Sequence, residues 1–92
     1  MTVTFVMVAD MPAEAASSFD RYESLVLPLL ARHGGRLERR LRSDDERVEV
    51  HVVSFSSEEG FESYLVDRER QSHQTILEGL NVVQRLLRVH DL

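Results

Sequence analysis

The 92-residue sequence contains no cysteine. That removes disulfides, thiolate metal sites and a cysteine nucleophile together. No apolar run approaches the roughly 20 residues needed to span a bilayer. The Met1 end reads TVTFVMVAD, without a basic flank or a small-residue cleavage site. It therefore reads as a strand and not as a signal peptide. A cytoplasmic location is the expectation left when no other address is present. Basic residues are not in excess: 11 stand against 16 acidic ones, for a net charge of −5. That balance argues against nucleic acid and against an anionic membrane surface as partners.

Several site types are also missing. Gly34-Gly35 follows a helix and precedes a strand, the reverse of the phosphate-binding order. No serine sits in a nucleophile elbow. The four histidines lack close ligand spacing and the acidic residues scatter, so neither a metal nor a cofactor is expected.

What is present reads as one domain over residues 1–92. Thr2 to Ala9 is rich in β-branched residues and forms a first strand. Asp10 and Pro12 mark a helix start. Phe19, Tyr22, Val26, Leu29 and Leu30 recur at helical spacing as far as His33. Pro28 predicts a kink within this helix, and His33-Gly34-Gly35 ends it. Arg36–Ser43 and Arg47–Phe55 read as two strands joined by an acidic turn, Asp44-Asp45-Glu46. Ser56 and Glu59 have capping-box spacing, so a second helix starts near Ser57 and runs to about Arg70. A further helical piece spans Ser72 to Leu80, Asn81 breaks it, and Val82–His90 is the last strand. The order β-α-β-β-α-β predicts an α+β, ferredoxin-like, four-stranded antiparallel sheet with helices on one face.

Alternation divides the third strand into Val48, Val50 and Val52 on one face and Glu49, His51, Val53 and Phe55 on the other. In the second strand Leu37, Arg39 and Leu41 oppose Arg36, Glu38, Arg40 and Arg42. Matching apolar faces leaves two hairpin registers. One sets Arg42 opposite Glu49 and Arg40 opposite His51; the other sets Arg40 opposite Glu49 and Glu38 opposite His51. The helices are then expected on the valine face. Glu49, His51, Val53 and Phe55 become candidates for a dimer face, because the first strand is apolar on both sides and a second copy would cover what remains. The arginines of the second strand read as a charged edge that discourages open-ended pairing.

Three stretches carry a resemblance: Phe19-Asp20-Arg21-Tyr22, Leu29 through Arg36, and Val52 through Phe61, which runs on through Tyr64-Leu65. Together they resemble the dimeric α/β-barrel superfamily, nearest its small uncharacterised members with an HGG-like helix end and an F-x-S-x-E joint. The resemblance implies a homodimer whose two sheets close into a barrel. It also implies relatives that include cofactor-free oxygenases of polyketide quinones, haem-degrading oxygenases and small-ring isomerases. The sequence has no tryptophan and no Asn-Trp-His set of the haem-degrading type.

For chemistry, Tyr22, Tyr64 and His73 are the candidate catalytic residues, able to line one cleft between sheet and helices. His33 is explained by its place at a helix end, His90 lies near the terminus, and His51, mid-strand near Glu38 or Arg40, is expected to make a structural pairing across the dimer. Asp67-Arg68-Glu69-Arg70 reads as a solvated ion-pair run. Three functions compete: a homodimer binding a small apolar or aromatic molecule, a cofactor-independent monooxygenase, isomerase or cyclase acting on an aromatic or polyketide-like substrate, and a purely structural or regulatory dimer.

Overall fold

A computed structural model describes residues 2–92. Its strands are β1 (Val3–Asp10), β2 (Gly35–Arg42), β3 (Val48–Phe55) and β4 (Val83–Val89). Its α-helices are α1 (Ala16–Val26), α2 (Glu58–Leu65) and α3 (Arg68–Ser72). The sheet is antiparallel in the order β2-β3-β1-β4, the ferredoxin-like arrangement, with arginine-rich β2 at one edge. No helix among the described residues is long and apolar enough to cross a membrane.

The helical segments follow local chemistry closely. Proline cannot donate to the helical ladder. Accordingly α1 ends at Val26, and Leu27–His33 tightens into a 3₁₀ turn instead of continuing as a kinked α-helix. Gly34 closes that turn at φ 70°, a left-handed position that suits glycine. Ser57, and not Ser56, caps α2 by accepting a hydrogen bond from the Gly60 amide at 3.0 Å. The second helix stops at Leu65, short of Arg70. Asp67 then starts α3 afresh by accepting from the Arg70 amide at 3.1 Å. His73–Leu77 is a 3₁₀ turn closed by extended Glu78, so the helical piece ends before the expected Leu80, and Asn81, at φ 59°, lies in the turn that leads to β4.

The hairpin register sets Arg42 opposite Glu49 and Arg40 opposite His51. It is broken by a β-bulge at Glu38, between Leu37 and Arg39. Leu37 therefore shares a face with Arg40 and Arg42, while Arg39 and Leu41 share the other. The expected grouping of Leu37 with Leu41 fails for this reason.

The facing of the sheet also reverses the expectation. Glu49, His51, Val53 and Phe55 are the buried residues of β3, beneath the helices. They are not a dimer face. Val50 and Val52 lie on the outer side with Val6, Val8, Leu41 and Leu87. The cause lies in α1, whose inward residues are Phe19, Tyr22, Glu23 and Val26. A glutamate on that face needs polar partners beneath it, and only the Glu49–His51 face supplies them. Phe5, Phe55 and Phe61 fill the other end of the same layer, with Phe5 and Phe61 stacked at 4.0 Å between centroids.

Candidate functional site

Under α1, six charged side chains form one cluster. Glu23 and Glu49 are 2% and 1% exposed, and His51 is 4% exposed. His51 Nε2 lies 2.7 Å from Glu23 Oε2 and also contacts Glu49 Oε2, so its pairing is made within one chain beneath the helix and not across a dimer. Arg40 donates to Glu23 Oε1 at 2.8 Å and to Glu49 Oε2 at 3.2 Å. Arg42 donates to Glu49 Oε1 at 2.8 Å through Nε and to Asp20 at 2.6 Å. With His51 protonated, three positive groups meet three negative ones and the cluster is neutral.

The protonation states follow from this packing. Burial pulls the His51 imidazole down, but hydrogen bonds to Glu23 and Glu49 outweigh it and hold it at about 9. Burial pushes Glu23 above the usual carboxylate range, against the opposing pull of His51. Burial pushes on Glu49 as well, but hydrogen bonds to His51 and Arg42 and the nearby charge of Arg40 hold it well below that range. His51, Glu23 and Glu49 offer ligand atoms close enough to surround a cation. Each carboxylate already takes guanidinium hydrogen bonds, however, so the chemistry of this set fits a retained proton better than a metal.

Next to the cluster is a cavity of about 150 Å³ between the sheet and the helices. Its walls are Phe5, Phe55 and Phe61 at the aromatic end, Tyr22, Tyr64 and Arg70 from the helices, and Glu23 and His51 from the cluster. Gln84 and Leu86 of β4 form its outer edge, where Leu86 is 48% exposed. The volume is close to the roughly 150 Å³ known to hold one benzene ring. It is smaller than the ~300–1,000 Å³ typical of drug-sized pockets. A larger ligand would have to protrude past β4.

Of the three residues named from sequence, Tyr22 and Tyr64 meet in this cavity. Burial raises the Tyr22 hydroxyl above its ordinary value, with the Arg70 charge opposing, so Tyr22 remains a hydrogen-bond donor at neutral pH. His73 does not line the cavity; it opens the 3₁₀ turn, 3.9 Å from Glu69. His33 has a structural task, as expected of a helix-end residue. Its ring nitrogens meet Ser63 Oγ at 2.7 Å and Asp67 Oδ2 at 2.6 Å, tying the Leu27–His33 turn to the α2–α3 junction.

Glu23 and Arg70 were missed by the sequence reading. Glu23 lies four residues after Phe19 and three before Val26, which is the spacing of the buried face. Its place in that stripe was the available signal. Arg70 belongs to the stretch read as a solvated ion-pair run. Instead Asp67 is buried as a cap, held at about 2 chiefly by its hydrogen bond to His33, and the restarted helix brings Arg70 into the cavity. Arg40 and Arg42 likewise serve the internal cluster as well as the charged edge.

No protein-family model matches the sequence, and no curated protein is similar enough to match. The fold, in contrast, is shared widely among solved structures. SnoaB, a cofactor-independent oxygenase from Streptomyces nogalater, superimposes with a TM-score of 0.76 at 21% identity, covering 99% of this chain and 95% of that one. A candidate antibiotic biosynthesis monooxygenase from Nitrosomonas europaea gives 0.81 at 10% identity, covering 99% and 90%. A nipsnap family protein of unknown function from Agrobacterium tumefaciens gives 0.68 at 14%, covering 98% and 90%. The chain therefore has the α+β, ferredoxin-like fold of the antibiotic biosynthesis monooxygenase-like proteins. At these identities the likeness concerns fold alone.

Proposed function

We propose that the protein is a homodimer that binds a small aromatic molecule in the cavity between sheet and helices. The observation that carries this reading is the cavity itself. Three phenylalanines line it beside two tyrosines and a charged cluster, so a flat ring has aromatic walls and oriented donors in one place. The dimer part rests on the outer face of the sheet. Val6, Val8, Val50, Val52 and Leu87 form an apolar field there with no helix over it, and a second sheet packed face to face would cover it.

The binding test is a heteronuclear NMR titration with single-ring aromatic compounds. The reading predicts saturable shifts for residues of the cavity, Phe61 and Tyr64 among them. Shifts confined to the outer face, or none at all, would reject it. Light scattering tests the dimer separately; a monomer mass at all concentrations removes that half of the proposal.

A second reading, a cofactor-independent monooxygenase, is favoured by the likeness to SnoaB and by the placement of Glu23 and His51 at the cavity wall. Such chemistry converts a substrate CH₂ and O₂ into C=O and water, with the substrate supplying all four electrons that reduce O₂. It needs a group to accept the first proton. Glu23 is suited to that task, because burial raises its proton affinity and His51 is hydrogen-bonded to it. Tyr22 and Tyr64 would orient the substrate. Oxygen uptake with an oxidisable phenolic substrate, abolished in Glu23→Gln, distinguishes this reading from simple binding.

A further inference from the structure

All eleven basic side chains of this sequence are arginines. Arg32, Arg36, Arg40, Arg42 and Arg88 are paired with carboxylates. Arg21, Arg39, Arg47, Arg68 and Arg85 have no such partner among the described residues but are exposed to water, Arg85 at the cavity's β4 side. Arg70 differs from both groups. It is half-buried, it lines the cavity, and no carboxylate among the described residues pairs with it. Its guanidinium lies over the Tyr64 ring, 4.6 Å from the centroid, and one terminal nitrogen donates to the Leu65 carbonyl at 3.4 Å. Its Nε is buried with no hydrogen-bond partner.

A buried guanidinium donor without an acceptor is costly. Tyr64 holds the group from one side by a cation–π contact, which fixes its plane without satisfying Nε–H. The apolar ring walls and the unpaired Arg70 side chain line the same cavity. From this juxtaposition we infer that the cavity selects single-ring aromatic molecules bearing an anionic oxygen, a carboxylate or phenolate, with Arg70 as the residue that sets the preference. The inference rests on the aromatic-binding reading above and adds the charge of the ligand to it. Arginine suits this role because its planar fork matches a carboxylate and cannot be deprotonated at any ordinary pH.

Benzoate and benzamide have nearly the same shape and differ in charge, so they separate the two ideas. In titration calorimetry of the wild-type protein, benzoate should bind at least tenfold more tightly than benzamide. Arg70→Met should remove that preference, bringing the benzoate and benzamide affinities within about twofold of each other. Equal binding of both compounds to the wild-type protein overturns the charge selectivity and leaves the aromatic pocket standing. Binding of neither overturns both. A loss of both ligands in a folded Arg70→Met protein shows that Arg70 only shapes the wall, which also overturns the inference. Should Arg70→Met fail to fold, the wild-type protein still decides. The arginine Nε–H resonance that is missing from Arg70→Lys must shift with benzoate and stay in place with benzamide; no shift with benzoate overturns the assignment.

Discussion

His51 Nε2 lies 2.7 Å from Glu23 Oε2, joining the middle of β3 to the buried face of α1. The contact spans the layer between the sheet and α1. Without the other, Glu23 would keep only Arg40 and, more distantly, Arg42, and His51 only Glu49, so packing and charge balance are one problem at this place in the fold.

Removing one member should therefore be severe. Glu49 contacts His51, Arg40 and Arg42 and balances one of their positive charges. Glu49→Leu leaves that positive charge under the helix, and we expect a loss of about 3–5 kcal/mol, the range for breaking a buried pair. Small domains have little margin, so this is a large share of total stability. Urea denaturation followed by far-ultraviolet circular dichroism measures it; a change under 1 kcal/mol would show that the cluster is better hydrated than its burial implies.

The same cluster makes stability depend on pH. The folded His51 value, about 9, lies above its ordinary 6.5. Its contribution is thus complete below pH 6.5 and is lost as pH rises through 9. The upper bound is on the order of 3 kcal/mol. Asp67 works in the opposite direction: its folded value is about 2, below the ordinary 3.8, so its contribution is present above pH 4 and is lost as pH falls through 2. Thermal melts should show a plateau between these limits and a fall from pH 7 to 9. His51→Asn should flatten the alkaline fall; an unchanged slope in that variant would assign it to another group.

A third prediction concerns close backbone approach. A Cβ added at Gly60 would stand 2.2 Å from the His33 carbonyl oxygen. That neighbour is backbone and cannot rotate aside. Gly60→Ala should cost at least the roughly 1–3 kcal/mol usual for overpacking. The midpoint of urea unfolding reports it. A neutral outcome would mean that the α2 start and the Leu27–His33 turn can separate freely.

The outer sheet face gives a fourth. Val50 is paired with Val8 and Leu41 on the side away from the helices. Val50→Asp places a charge in that field without touching the cavity. If two copies pack there, the mass measured by light scattering should fall to that of one chain while ligand shifts persist. A variant that keeps the wild-type dimer mass would move the interface elsewhere.

Much of this architecture was legible in the sequence. Element order came from turn and cap residues, and the Arg42–Glu49 pairing was one of two registers that side-chain parity allowed. Of the expected trio Tyr22, Tyr64 and His73, the two tyrosines share the cavity and His73 does not. The facing of the sheet was not legible. Valines suggest a core, yet both faces of this sheet are apolar in part, and the choice between them was made by Glu23 on a different element. Arg70 was hidden for a related reason. A continuous helix from Ser57 gives no hint that Asp67 restarts the chain and changes which side of it meets the sheet.

The bulge at Glu38 makes the length of β2 unequally tolerant along its course. Two residues, Glu38 and Arg39, stand opposite Val52 alone. Deleting Glu38 would restore simple alternation while keeping Leu37, Arg40 and Arg42 inward, each across from its present partner. Deleting Leu41 instead would turn Arg42 toward the outside and strip Glu49 of a counter-ion. Changes of identical size, three residues apart, would thus have opposite fates: one absorbed by the strand, the other felt at the centre of the protein.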